Sequence, residues 1–175
     1  MSGTRRQWLK AALASLGLKS LGLTSLGLAF GTRLAEARGV VPFGGNYRPG
    51  SIVIVTHQRM LYFVMGGGQA LRYPVGVGRA GMAWHGRANV ALKRLSPPWA
   101  DPDRPLSEVI PPGSPRNPMG AAVLGLNRGN YAIHGTNRPE SIGGYVSHGC
   151  IRMHNADVLD LYRRVSLGAE VLVLR

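Results

Sequence analysis

The chain is 175 residues long, 45% hydrophobic and 17% charged, with a formal net charge of +13 at pH 7 and a single cysteine. That length accommodates one globular domain and excludes two of ordinary size. One thiol excludes an internal disulfide, and the basic excess points to an anionic partner whose nature depends on the compartment.

The N-terminus bears on that compartment. Thr4-Arg5-Arg6-Gln7-Trp8-Leu9-Lys10 sets paired arginines before a bulky apolar pair, and from Ala11 to Phe30 the residues are mostly small and apolar. Ser-Leu-Gly-Leu-x recurs from Ser15, Ser20 and Ser25, and its glycines, with Lys19, keep the stretch less hydrophobic than a permanent membrane span. Ala35-Glu36-Ala37 offers small residues where a signal peptidase reads, with Arg38 as the first mature residue. The pattern is that of a twin-arginine export signal. Residues 1–37 are therefore expected to be a leader, 38–50 a short lead-in, and 51–175 the domain. The expected location is the periplasm or cell wall space, with membrane contact only during export and a monomeric product. Without the leader's five Lys or Arg and one Glu, 16 basic and 7 acidic residues remain, and every basic one except Lys93 is arginine. Nucleic acid is not expected as a partner of an exported protein that carries no aromatic-basic recognition motif. Cell-wall carboxylates and anionic lipid headgroups are the polyanions available.

From Gly50 the pattern is that of strands. Ser51 to His57 is rich in β-branched residues, Gln58-Arg59 can turn, and Met60 to Met65 returns. Gly66-Gly67-Gly68 is a tight connection to a third strand, Gln69 to Val77, so a meander opens the domain. Gly78 to Gly86 is glycine-rich and carries Trp84 and His85, and Ala88 to Leu95 reads as another strand. From Ser96 to Pro118 repeated prolines exclude helix and central strand, predicting a long loop of the kind that binds or covers something. Ala121 to Leu126 and Tyr131 to His134 form a hairpin around Asn127-Arg128-Gly129-Asn130. Asn155 is predicted as the N-cap of a helix with Val158, Leu159, Leu161, Tyr162 and Val165 on its apolar face, ending at Gly168. Glu170 to Leu174 closes as a buried strand.

The chemistry concentrates between Ile133 and Asn155, which holds the cysteine and three of the five histidines. His134 and Cys150 stand sixteen residues apart, a spacing that suits a strand, a loop and a return segment placing thiol and imidazole within hydrogen-bond reach. If 148–154 is extended, His148, Cys150, Arg152 and His154 share one face while Ile151 and Met153 point into the core. A cationic row of this kind favours a thiolate, and hence a reactive cysteine over an inert one. The spacing of His134, His148, Cys150 and His154 matches no zinc pattern, so neither metal nor cofactor is expected.

His134-Gly135, the segment Ser147-His148-Gly149-Cys150, then Arg152 and Asn155, resemble the L,D-transpeptidase catalytic domain (the YkuD-like family) from about Ser51 onward. The resemblance implies a mainly β fold, an L,D-transpeptidase-like β-sandwich or barrel with a C-terminal helix after the catalytic cysteine. It also implies a peptidoglycan substrate: a tetrapeptide stem cleaved before its terminal D-alanine, passing through a thioester to a diaminopimelate amine to give a 3-3 cross-link. Cys150 would be the nucleophile and His134 the proton carrier, with the Gly135 carbonyl orienting the imidazole and the Gly149-Cys150 turn supplying N–H donors to the tetrahedral oxygen. Ser147, His148, Gly149 and Arg152, with Trp84 or Trp99 on the groove, are the expected binding or supporting residues. Sensitivity to carbapenems follows from the same likeness. The family's frequent Thr-Pro-x-Gly stretch is missing from Met82 to Lys93. An L,D-carboxypeptidase or other hydrolase of the same fold, and a non-catalytic cell-wall-binding protein, are the alternatives.

Overall fold

In chain order the strands are β1 (Gly39–Pro42), β2 (Ile52–Val55), β3 (Met60–Gly66), β4 (Gln69–Gly78), β5 (Gly86–Leu95), β6 (Ala122–Leu126), β7 (Ala132–His134), β8 (Tyr145–Ser147), β9 (Ile151–Met153) and β10 (Glu170–Leu174), with one α-helix, α1 (Asn155–Arg164), and a 3-10 turn at Pro139–Ser141. They come from a computed structural model that describes residues 37–101 and 108–175. The expected leader, apart from Ala37, and residues 102–107 of the proline-rich run lie outside the described residues.

β2, β3 and β4 form the expected antiparallel meander, and β10 inserts between β2 and β5, parallel to the first and antiparallel to the second. The sheet then runs through β5, β6, β7 and β9. It closes because β4 is long enough to serve two neighbours. Its first part pairs with β3 as far as Met60↔Pro74, and Val75↔Met153 and Gly76↔Arg152 join the rest to β9. Proline has no N–H to give a ladder, so Pro74 falls where the strand can leave one partner for the next. The result is a mainly β closed barrel with a helix after the cysteine.

Ile52, Ile54, Leu61, Tyr73, Leu124, Ile133, Met153 and Leu161 are sealed in one apolar cluster. Each such aliphatic side chain contributes about 1.5–3 kcal/mol relative to exposure. Helix α1 packs over β6 and β7 through Val158 and Leu161. Its polar side is pinned too: Tyr73 donates to Asp160 Oδ2 at 2.7 Å and Arg164 holds the same carboxylate at 3.0 Å. The Arg164 hydrogen bond is the main reason the Asp160 carboxyl lies below its ordinary range.

Three local expectations are corrected. The lead-in is part of the sheet: β1 pairs with β4, Phe43 stacks on Tyr62 at 4.6 Å, and Arg38 reaches Asp157 at 3.3 Å. A four-residue stretch ending in proline carries too little pattern to be read as a strand, yet an edge tolerates it. Within the loop expected between His134 and Cys150, β8 begins at Tyr145 and pairs with the end of β4. Finally, His154 occupies the N-cap position and Asn155 is already helical, with its side chain directed to other work. The helix stops at Arg164, ahead of Gly168, because Val165 is extended.

Candidate active site

β7 and β9 run side by side, with Ile133 opposite Ile151 and His134 opposite Arg152. Both isoleucines are buried in the core. Alternation along each strand therefore sends His134, Cys150 and Arg152 to the other side. There they line one cleft of about 620 Å³ with Trp99, Asp101, Arg116, Tyr131, Arg138 and His148, among others. The sixteen-residue separation is thus absorbed by a parallel crossover, and thiol and imidazole open into the same space, although the hydrogen bond Sγ makes goes to the Asn130 carbonyl and not to the imidazole.

The cysteine sits at the end of a fixed turn. Ser147 Oγ donates to the Cys150 carbonyl at 2.5 Å and accepts the Gly149 N–H at 3.1 Å. Gly149 has φ +124°, and a Cβ there would run into the Tyr131 ring, so the position requires glycine twice over. Trp84 stacks on Tyr131 with ring centroids 5.2 Å apart and donates its indole N–H to the Gly149 carbonyl at 3.1 Å. Trp84 is buried, at 8% exposure, and supports the turn from behind; Trp99 is the tryptophan that lines the cleft. Because the Gly149 N–H is engaged by Ser147, it is not available as the expected donor to a tetrahedral oxygen.

His134 is 5% exposed, and its Nδ1 lies 2.7 Å from the Gly135 carbonyl oxygen. A carbonyl only accepts, so Nδ1 carries the hydrogen and Nε2 keeps its lone pair. Burial holds the imidazole down, to about 4; the Gly135 and Pro118 carbonyls oppose this, and the Arg152 charge adds to it. Burial also pushes the Cys150 thiol up, against a backbone hydrogen bond with Ala132 and the field of Arg152. Sγ lies 3.8 Å from the Asn130 carbonyl oxygen, an acceptor that suits the S–H form. The Arg152 charge favours a thiolate, but burial weighs more, so the thiol is shifted upward, the opposite of what the cationic surroundings alone lead one to expect.

Around the rim, His148 is exposed and its Nε2 hydrogen-bonds the Arg79 guanidinium. His154 is not among the lining residues. Asn155 is the residue whose work composition could not reveal. Its Oδ1 accepts the N–H groups of Ala121 and Thr136, each at 3.0 Å, and its Nδ2 donates to the Thr136 carbonyl at 2.9 Å. A Cβ on Gly120 or Gly135 would strike that Oδ1. Asn155 thus fastens the segment leaving His134 to the segment entering β6. The sequence signal was the pair of glycines, one of them adjoining the histidine. Among the described residues no group of three or more His, Cys, Asp or Glu is placed to hold a metal ion.

The closed β-barrel brings His134 of β7, Arg152 of β9 and Cys150, just before β9, into one cleft, and the family match over residues 49–173 makes this the fold and cleft of an enzyme of the cell-wall L,D-transpeptidase class. The model of the YkuD family, the L,D-transpeptidase catalytic domain, matches residues 49–173, and the chain belongs to that family. It is similar to YqjB of Bacillus subtilis (strain 168), 34% identical over 140 residues that cover 75% of this chain and 76% of that one. It is also 34% identical over 136 residues to YbiS of Escherichia coli (strain K12), covering 70% of this chain and 43% of that longer relative. Both relatives carry the L,D-transpeptidase name. Among solved structures, the catalytic domain of the Enterococcus faecium L,D-transpeptidase superposes with a TM-score of 0.58 at 20% identity, covering 74% of this chain and all of that one. L,D-transpeptidase 3 of Mycobacterium tuberculosis, solved with a faropenem-derived adduct, gives 0.56 at 18% identity, covering 71% and 60%. At these identities the structural likeness concerns the fold.

Proposed function

We propose that the protein is a peptidoglycan L,D-transpeptidase acting outside the cytoplasm, with Cys150 as nucleophile and His134 as general base and acid. The observation that carries this is the His134 ring: its Nδ1–H is held by the Gly135 carbonyl, and the same ring lines the cleft that Cys150 and Arg152 line. The leader-like N-terminus supports the location.

Burial biases both groups toward their neutral forms, and the order of events proposed here follows from a thiol facing a neutral imidazole. Cys150 Sγ attacks the carbonyl before the terminal D-alanine as its proton passes to His134 Nε2. The C–S bond forms and the carbonyl oxygen becomes an oxyanion, with the Cys150 N–H as the nearest backbone donor of the turn. The imidazolium then gives its proton to the departing D-alanine nitrogen as the C–N bond breaks, leaving a thioester. An incoming diaminopimelate side-chain amine, entering as the free base, attacks the thioester. His134 takes its proton and returns it to the sulfur, and the product is a 3-3 cross-link. The imidazole stays poised because Gly135 fixes its tautomer and its low affinity for protons keeps Nε2 vacant at neutral pH.

Incubation of the leaderless protein with purified disaccharide-tetrapeptide tests the reading. Released D-alanine and a cross-linked dimer are expected, both lost in Cys150→Ala. A tripeptide without dimer would reassign the protein as an L,D-carboxypeptidase, with water as the acceptor in the same cleft. No product, with no adduct to imipenem by mass spectrometry, would leave only a wall-binding domain.

A further inference from the structure

The cleft holds more positive charge than the reaction uses. Arg152 stands on β9 beside the nucleophile, between Gly76 of β4 and His134 of β7. Its Nε is buried with no hydrogen-bond partner, and the residue lines the cleft. Arg138 enters from the segment following β7 and lines the same space. Arg79, at the end of β4, reaches the opposite rim by hydrogen-bonding His148, itself a lining residue. Arg138 and Arg79 are close enough to Arg152 for each to make its charge harder to hold. Among the described residues, none of these guanidiniums has a carboxylate partner. Arg116, also in the lining, differs: Glu108 lies 3.6 Å from it. Among the described residues of the lining, Asp101 is the acidic one, on the proline-rich segment.

Uncompensated like charges gathered in a concave site raise the energy of the empty protein and lower that of a complex with an anion. A donor stem carries one carboxylate that every donor shares, that of the terminal D-alanine. Three guanidiniums exceed what one carboxylate can offset, and the surplus asks for further acidic groups. Resting on the reading of this cleft as the donor site, we propose that Arg152, Arg138 and Arg79, with His148, form a carboxylate receptor beside the thiol. It selects donor stems whose internal carboxylates are free over the same stems with those groups amidated. Arg79 Nη2 donates to His148 Nε2 and to Met82 Sδ, which leaves its Nε and Nη1 N–H groups and the His148 Nδ1 side for the ligand. Arg152 and Arg138 present forked donors that match carboxylate oxygens in pairs.

The test uses two disaccharide-tetrapeptides that differ only in the isoglutamyl and diaminopimelyl groups, free carboxylates in one and carboxamides in the other. D-alanine release by the leaderless protein is followed at low ionic strength. The free-acid donor is expected to have a kcat/KM at least about tenfold higher, a difference of about 1.4 kcal/mol. That ratio should shrink in Arg138→Gln and in Arg79→Gln, both on exposed positions, and stay at the wild-type value in Arg94→Gln, which removes one charge outside the cleft. Raising the salt to 0.5 M should narrow the wild-type ratio, because surface fields are screened within about 10 Å already at 0.1 M. Equal use of both donors, or a preference unchanged in both cleft variants, overturns the receptor while leaving the enzyme intact. Turnover of neither donor overturns the assignment of the cleft as a donor site, and this proposal with it.

Discussion

The wall of the barrel formed by β2, β3 and β10 and the wall formed by β7 and β9 are built by different means. In the first, Ile52, Val53, Ile54, Leu61, Val171 and Val173 are all at or near zero exposure, and apolar burial makes the structure. In the second, Ile133, Ile151 and Met153 fill the inner side, but the outer side is organised by polar contacts: Ser147 on its own turn, Trp84 on Gly149, Asn155 across two loops, His134 on Gly135. Apolar packing is non-directional and tolerates modest repacking. Hydrogen bonds fix angles, and chemistry on a single sulfur needs angles. The first wall should govern stability alone, the second stability and rate together.

The largest expected effect is on rate alone. Cys150→Ser should lower D-alanine release by about four orders of magnitude or more and abolish the imipenem adduct by mass spectrometry, while thermal unfolding stays close to wild type. His134→Gln should slow acylation about 10²–10⁴-fold. It should also change the pH dependence of stability. Burial takes the folded imidazole from its ordinary 6.5 to about 4, so on acidification the unfolded chain binds the proton first. Stability is then full above pH 6.5, falls as the pH drops, and levels off below about pH 4, a loss on the order of 3 kcal/mol. Urea unfolding at pH 7 and 4.5 should show that slope in the wild type and a flatter one in His134→Gln.

A paired experiment can break the comparison outright. Ile54→Ala leaves a void in the apolar wall, and Asn155→Ala removes three hydrogen bonds from the polar one. Each should cost about 2–4 kcal/mol in denaturant unfolding. Acylation by imipenem, measured where both variants are folded, should stay at the wild-type rate in Ile54→Ala and drop in Asn155→Ala. Equal rates would falsify the division of labour. Trp84→Phe keeps an aromatic ring against Tyr131 but removes the bond to Gly149 and part of the buried ring under Arg128, so about 1–3 kcal/mol and a several-fold slower acylation are expected. Leu92→Thr, on a β5 position 53% exposed, should lie within about 0.5 kcal/mol of wild type in both measurements.

The same contrast governs what the sequence could reveal. Ile52–Val55, Met60–Gly66 and Glu170–Leu174 announce themselves because buried strands need β-branched and aromatic runs, and glycines mark their ends. The His134 and Cys150 spacing was legible because thiol chemistry restricts which residue types can serve. Asn155 was misread because its local position suits a helix start, whereas its partners Ala121 and Thr136 are far off in sequence. The charge state of Cys150 depends on depth below the surface, which residue types along one strand do not encode. Arg79 was invisible as a neighbour of His148, 69 positions away, for the same reason.

β10 lies at the centre of the sheet, although it comes from the last residues described. A chain growing from its N-terminus therefore has β2 and β5 in hand, each with a bare row of amides and carbonyls, until 170–174 has been made. Strand edges left bare in this way are templates on which another chain can pair until the missing stave is in place. A chaperone or a secretion partner that shields those edges would protect the newborn protein more than one that shields any finished surface.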